Sequence, residues 1–248
     1  MDIILNERNW MNEALETLSL GKNPYETIGR YARVMHADGV PKDVMERRIE
    51  EFLLRCDSRV NLVIWQDAIK RAIARAGKYP IAEVDGVWLT EGELNTISKI
   101  ESKMQRKLLF TLVCLAKFKM AVNPDAAGWV NYGYKDICNL ANITISSKRR
   151  ALLINDLYRA GYISLSKRID NTSIHIDILD DSTTNSLFVS DFRNLGNRYL
   201  MHCGEKFFEC QSCGIVIHRT ANHQTFCRQC AEDRHRQLAN EQYKRSIA

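Results

Sequence analysis

A chain of 248 residues with 45% hydrophobic and 26% charged side chains has room for two or three ordinary domains, and its balance is that of a globular protein. No apolar run approaches the twenty residues of a spanning helix, and the opening MDIILNERNW has neither the basic start nor the apolar core of a secretory signal, so the expected compartment is the cell interior. The net charge of +5 is uneven: residues 1–102 carry 14 basic and 17 acidic side chains, 103–179 carry 12 and 5, and 197–248 carry 8 and 5, a distribution that favours a polyanionic partner for the middle and the tail.

The first 78 residues read as helices. Trp10, Ala14, Leu15 and Leu18 recur at helical spacing. Asn23-Pro24-Tyr25-Glu26 supplies an N-cap, a proline at the first helical position and a glutamate at the third. That second helix turns Ile28, Tyr31, Ala32 and Met35 inward and should stop at Gly39. A third starts near Pro41, with Val44, Met45, Ile49, Phe52 and Leu53 on its apolar face. A fourth, ending at Gly77, places Ile64, Trp65, Ala68, Ile69 and Ala72 on one side. Short helices joined by brief turns make a small bundle. Gly21-Lys22 lacks the glycine pattern of a phosphate loop.

Residues 79–103 are expected to be a linker and a helix. YPIAEVDGVWL breaks the helical period, and Asp85-Gly86 between alternating apolar residues suggests a hairpin or an extended connection. Thr90 and Glu93 form a capping box that opens the next helix. From 104 to 180 the pattern becomes specific. A long apolar helix ends before Asn123-Pro124, and the extended GWVNYG follows. A short helix packs Ile137, Cys138, Leu140 and Ala141, and a turn over 142–144 leads to the helix SSKRRALLINDLYRAG. Two alternating runs, YISLSKR and SIHIDIL, then flank Ile169-Asp170-Asn171-Thr172, a hairpin signal.

This order, helix, strand, helix, turn, helix, hairpin, resembles the winged-helix superfamily. The resemblance implies that the helix beginning at Ser146 enters a DNA groove by its first turns. Ser147, Lys148, Arg149 and Arg150 are then candidates for base and backbone contact, with Leu152, Leu153, Ile154, Leu157 and Tyr158 serving the core. Cations at a helix N-terminus oppose the helix dipole, whereas a phosphate there is favoured. Ser146 is expected to cap. Lys135, and Lys167 and Arg168 on the wing, are candidates for phosphate contact; Tyr132 and Tyr134 suit contact or packing equally.

Residues 181–204 read as a connector, a loop and then a strand or short helix that docks through Leu187, Phe188, Val189 and Phe192. In residues 205–248, Cys210, Cys213, Cys227 and Cys230 form two Cys-x2-Cys pairs thirteen residues apart. Each pair can offer two thiolates to one ion, and two pairs complete a tetrahedron, so one structural Zn2+ is expected. Gly214 suits the tight turn of a knuckle, and the second pair leads into a helix. A hairpin knuckle followed by a helix-start knuckle resembles a zinc-ribbon or treble-clef finger. A redox pair would need a βαβ setting that the pattern lacks. His218, His223, His235 and Cys203 are bystanders by this reading, and Cys56, Cys114 and Cys138 behave as small hydrophobes. Arg219, Arg228, Arg234 and Arg236 surround the finger; Arg219 and Arg228 are its candidates for nucleic-acid contact.

The expected architecture is therefore α+β and mainly α: a helical domain (1–78), a linker and helix (79–103), a winged helix-turn-helix domain (104–180), a connector (181–204), and a zinc finger with a C-terminal helix (205–248). With NLVIWQDAIKRAIARAGKYP, NDLYRAGYISLSKRID and DFRNLGNRYL, the order also resembles proteins of phages and prophages of Gram-positive bacteria. That resemblance implies the bacterial host cytoplasm and a role in replication initiation or transcriptional control on duplex DNA. The N-terminal domain would then serve dimerisation or a host or phage protein partner. The alternative is an inhibitor of a host nucleic-acid enzyme or defence ribonucleoprotein, such as a CRISPR nuclease. No HExxH, Walker loop or nucleophile elbow is present, and Asp177, Asp180 and Asp181 read as a solvated turn, so no enzyme activity is expected.

Overall fold

A computed structural model describes residues 3–168, 172–180 and 184–246, with side chains as far as residue 243. It is an α+β chain whose contacts divide it into two units, one comprising Ile4–Asp85 with Ala121–Pro124, the other most of the remainder from Gly86 on.

The first unit consists of four helices: α1 (Glu7–Glu16), α2 (Pro24–Ala37), α3 (Lys42–Cys56) and α4 (Leu62–Arg75). Asn6, Asn23 and Asn61 cap three of them by accepting from backbone N–H groups. Gly39, just past the end of α2, takes the left-handed conformation that glycine adopts without strain. Helix α2 packs against each of the other three. Its Ile28, Ala32 and Met35 meet Met45, Ile49 and Leu53 of α3 and Ala68, Ile69 and Ile73 of α4. Met11 and Ala14 of α1 join Val34 and Phe52 in a second cluster.

Three sequence expectations change here. Met11, not Leu18, anchors α1, because Leu18 lies beyond the helix with a positive φ. The buried face of α4 centres on Ala68, Ile69 and Ile73, and Ile64 is 72% exposed. Of the hairpin and the extended connection expected around Asp85-Gly86, the hairpin does not form. Residues on its two sides pair elsewhere: the Val84 N–H donates to the Leu5 carbonyl at 3.0 Å, and the Glu7 N–H to the Ala82 carbonyl at 2.7 Å. Beyond Gly86, β1 (Val87–Thr90) pairs antiparallel with residues of the connector, Val87 opposite Val189. Gly86 serves close approach, since a Cβ there would lie 2.5 Å from the Phe188 ring.

The second unit starts with β1 and α5 (Glu91–Ser98), joined by the capping box of Thr90 and Glu93, and residues 86–103 belong to it. Next come α6 (Lys103–Val122), β2 (Trp129–Val130), α7 (Tyr134–Leu140) and α8 (Ser147–Arg159). The strands β3 (Ile163–Leu165) and β4 (Ile174–Ile176) form a three-stranded antiparallel sheet with β2, in the order β2-β4-β3. Residues 169–171 at the expected hairpin tip lie outside the described residues. Ten residues of α6 are buried, which makes it the spine of this core. Ile137, Cys138, Leu140 and Ala141 are buried as the sequence predicts. Cys114 is also buried, while Cys56 is half-buried.

Glu93 has no exposed side-chain surface, and it is satisfied on every side. Its carboxylate accepts from the Thr90 N–H (2.9 Å) and the Asp180 N–H (3.1 Å), and Lys117 Nζ lies 2.9 Å away. A buried carboxylate is tolerated only with such partners. This ties the start of α5, the middle of α6 and the segment after β4 to one group.

The chain then adds β5 (Asn185–Val189), which completes the β1 pair, and α9 (Leu195–His202). A hairpin of β6 (Phe207–Glu209) and β7 (Val216–His218) precedes the final helix α10 (Arg228–Ser246). No helix among the described residues is long and apolar enough to cross a membrane.

Candidate nucleic-acid interface and metal centre

Helix α8 begins where the sequence places it. Ser146 caps it by accepting from the Arg149 N–H at 3.4 Å. Leu153, Ile154 and Leu157 are buried, but Leu152 is 50% and Tyr158 49% exposed. The expectation that all five apolar residues serve the core is corrected: a helix of this length can bury one stripe only, and the spacing 153, 154, 157 defines it. The opposite face carries Lys148, Leu152, half-buried Asn155 and Arg159, at i, i+4, i+7 and i+11. Ser147 and Arg149 flank this face at its N-terminal end and are exposed.

Arg150 differs from its two neighbours. It is half-buried, and its Nη1 donates to the Ile145 carbonyl at 2.9 Å, so it braces the turn before α8. Among the described residues Lys148, Arg149 and Arg159 have no carboxylate within ion-pair distance. Lys135 on α7 and Lys167 and Arg168 after β3 are exposed. The half-buried Tyr132 sits under Lys119 Nζ, 4.9 Å from the ring centroid, and burial pushes its hydroxyl up, so packing accounts for it. Burial does the same to Tyr134.

The four cysteines converge. Cys210 and Cys213 sit on the turn between β6 and β7, and Cys227 and Cys230 at the start of α10. Their Sγ atoms all lie within 4.8 Å of one another, and Cys213 and Cys227 are 3.8 Å apart, too far for a disulfide. Backbone geometry explains the convergence. The Gly214 N–H donates to the Cys210 carbonyl, and Gly214 takes φ +75° to close the knuckle. The N–H groups of Cys227 and Cys230 point at the sulfurs of Cys210 and Cys227.

Burial pushes the Cys210 thiol up, but N–H groups of Cys227, Cys213 and Ser212 outweigh it and bring the group down to about 6. At Cys230 a Ser212 hydrogen bond pulls downward, yet the crowding thiols of Cys227 and Cys213 push it to about 12. Four thiols so close cannot all ionise unless a cation takes the place of their protons. The cluster can therefore hold one metal ion, and no histidine joins it among the described residues.

The finger arginines are engaged. Arg219 lies over the Phe208 ring at 5.4 Å and Arg234 over Phe226 at 5.0 Å. Arg228 pairs with Glu232 at 2.8 Å and Arg236 with Asp233 at 3.0 Å, both at exposed positions.

The connector holds both a strand and a short helix, and the helix, α9, connects the two sites through contacts that the sequence does not show. Asn142, in the turn between α7 and α8, donates to Asn197 Oδ1 at 2.9 Å, and Asn197 Nδ2 donates to the Val216 carbonyl at 3.2 Å. Arg198 reaches Glu209 at 2.9 Å, and Arg193 reaches the Cys213 carbonyl. Tyr199 packs on Phe110 of α6, ring centroids 5.3 Å apart. The finger hairpin is therefore anchored to a buried helix. Only the run of polar residues within DFRNLGNRYL hints at this, and the sequence cannot say what they face.

Among the acidic residues, Asp177 accepts from the Ser164 hydroxyl at 2.7 Å and lies 2.6 Å from His175 Nδ1. The hydroxyl is thus held by the carboxylate and not by the imidazole. The Thr90 hydroxyl is 3.3 Å from Asp180, and Asp181 lies outside the described residues. No protein-family model, curated protein or solved structure matches the chain.

Proposed function

We propose that this chain is a non-enzymatic DNA-binding protein whose residues 104–180 act as a winged helix, with α8 in the major groove of duplex DNA. The observation that carries the reading is the outward stripe of α8. Among the described residues Lys148, Arg149 and Arg159 have no carboxylate partner; they stand around an exposed Leu152, on a helix whose other side is used in the core. The order α6-β2-α7-α8-β3-β4 and the sheet order β2-β4-β3 support it. Cations on such a face meet phosphates, and an arginine among them suits guanine. Lys135, Lys167 and Arg168 are the proposed backbone contacts. A phage setting, in replication initiation or transcriptional control, rests on the sequence resemblance alone.

The cysteine cluster is proposed to hold one structural Zn2+ in a treble-clef-like finger. Tetrahedral Zn–S bonds of about 2.3 Å place sulfurs about 3.8 Å apart. The Cys213–Cys227 separation of 3.8 Å fits that edge. Four thiolates leave no open coordination position, so the ion serves folding.

Fluorescence anisotropy of a labelled duplex tests the main claim. Lys148→Ala with Arg149→Ala should weaken binding at least about tenfold and flatten the salt dependence by about 1.8 in log–log slope, since each neutralised phosphate contributes about 0.9. Unchanged affinity and slope would refute the assignment. Absence of duplex binding, with nuclease-resistant copurification of one large host nucleic-acid enzyme, would replace it by the inhibitor reading.

A further inference from the structure

The first unit contains a cleft between α2 and α4, with a volume of about 600 Å³. Its lining combines small, aromatic and cationic side chains, and Ala68 is shared with the core. Gly29, Ala68 and Ala72 give it small side chains along both helices. Tyr25 and Tyr79 stand at it, 60% and 74% exposed. The Tyr25 ring stacks on Trp65 at 4.9 Å with 30° between planes, which fixes its orientation. Arg71, Arg75 and Lys78 also line it, and among the described residues none of the three has a carboxylate within ion-pair distance. This concentration of cations runs against a stretch, residues 1–102, in which acidic side chains outnumber basic ones.

Gly29 is the independent sign. It lies inside α2, where glycine is a poorer helix former than alanine. Neither of the usual reasons for it applies. Its φ is not positive, and a Cβ added there would meet nothing within 4 Å. Gly29 lines the cleft and adds no side-chain volume to it.

We propose that this cleft binds an unpaired nucleotide. The base occupies the small-residue cleft against the tyrosine faces, and the phosphates meet Arg71, Arg75 and Lys78. Flat rings beside guanidinium groups are the combination that holds unpaired nucleotides without reading their sequence. The volume falls within the range of small-ligand sites. Two sources share this chemistry, a free nucleotide and a single-stranded nucleic acid. The site is separate from α8 and does not depend on the duplex-binding proposal.

The test uses the full chain with labelled dT20, the matching RNA, free dTTP and, as a control for charge alone, poly-glutamate. Binding of the oligonucleotides alone identifies a strand as the ligand, and binding of dTTP identifies a free nucleotide; either supports the site. Arg71→Ala with Arg75→Ala should weaken it at least about tenfold, and for a strand reduce the salt slope by about 1.4. Tyr25→Ala and Tyr79→Ala should each cost about five- to a hundredfold, the range of base-stacking contacts. Gly29→Leu should block the cleft. Gly29→Ala, which adds one methyl into open space, controls for folding. Lys148→Ala with Arg149→Ala should leave this binding unchanged. The proposal fails if the wild type binds none of the nucleotide probes, if poly-glutamate binds equally well, or if folded cleft variants bind like the wild type.

Discussion

Gly196→Ala should destabilise the second unit by about 3–5 kcal/mol. Gly196 is buried near the start of α9, and a Cβ built on it would lie 1.9 Å from the Ala141 carbonyl oxygen and 2.4 Å from Lys107 Cε. The lysine can shift; the carbonyl belongs to the α7–α8 turn and cannot. Ordinary contact would need a displacement of about 1 Å or more, in a core packed like a crystal. Overpacking of this kind costs about 1–3 kcal/mol. Two hydrogen bonds adjoin the contact, Lys107 Nζ to the Asn142 carbonyl at 2.6 Å and Asn142 Nδ2 to Asn197 Oδ1 at 2.9 Å, each contributing about 1 kcal/mol. At about 2–4 °C per kcal/mol for a unit of this size, the melting temperature should fall by roughly 10 °C. Thermal unfolding followed by circular dichroism measures it. A variant melting within about 2 °C of the wild type would show that α9 does not clamp the turn as described.

Four further outcomes follow from named contacts. Chelation, or Cys213→Ser, should abolish binding of one metal equivalent and disorder the finger hairpin, read by elemental analysis and amide exchange; a hairpin equally protected without metal would contradict a structural ion. Glu93→Gln should cost about 3 kcal/mol in urea unfolding, because Lys117 loses its buried counter-charge, and a smaller loss than about 1 kcal/mol would deny the carboxylate its hub role. Leu152→Glu should leave the melting temperature unchanged, since the side chain is half exposed, while reducing duplex affinity in anisotropy by about tenfold; full affinity would mean that this face of α8 is not used. Gly29→Ala should stabilise the first unit by up to about 1 kcal/mol in the same unfolding assay, as helix propensity predicts where no clash occurs. A destabilised variant would reveal crowding at a position with open space.

Much of the candidate metal site is local in origin and therefore legible. Two Cys-x2-Cys turns, Gly214 and the following helix bring each pair of sulfurs together through short-range backbone geometry. Helix α8 is partly legible. Its cap at Ser146 and its buried stripe follow from spacing, but the same spacing read on its outer face would have added Arg159 and separated Leu152 from the core. Arg150 could not be told from Lys148 and Arg149, because a hydrogen bond to the Ile145 carbonyl depends on how the preceding turn folds.

The sequence by itself determined the helices of the first unit, the capping box of Thr90 and Glu93, the element order from α6 to β4 and the pairing of the cysteines in one place. These are consequences of periodicity and of groups a few residues apart. Only the tertiary structure decided where extended segments find partners. Residues on either side of Asp85-Gly86 alternate like one hairpin, yet one side pairs near α1 and the other with Asn185–Val189, because a strand's pattern fixes its faces and not its neighbour. The same holds for α9 and for the cleft beside Gly29. A polar residue in a buried helix and a glycine over open space acquire their meaning from what stands opposite, and that is set by chain segments far away in sequence.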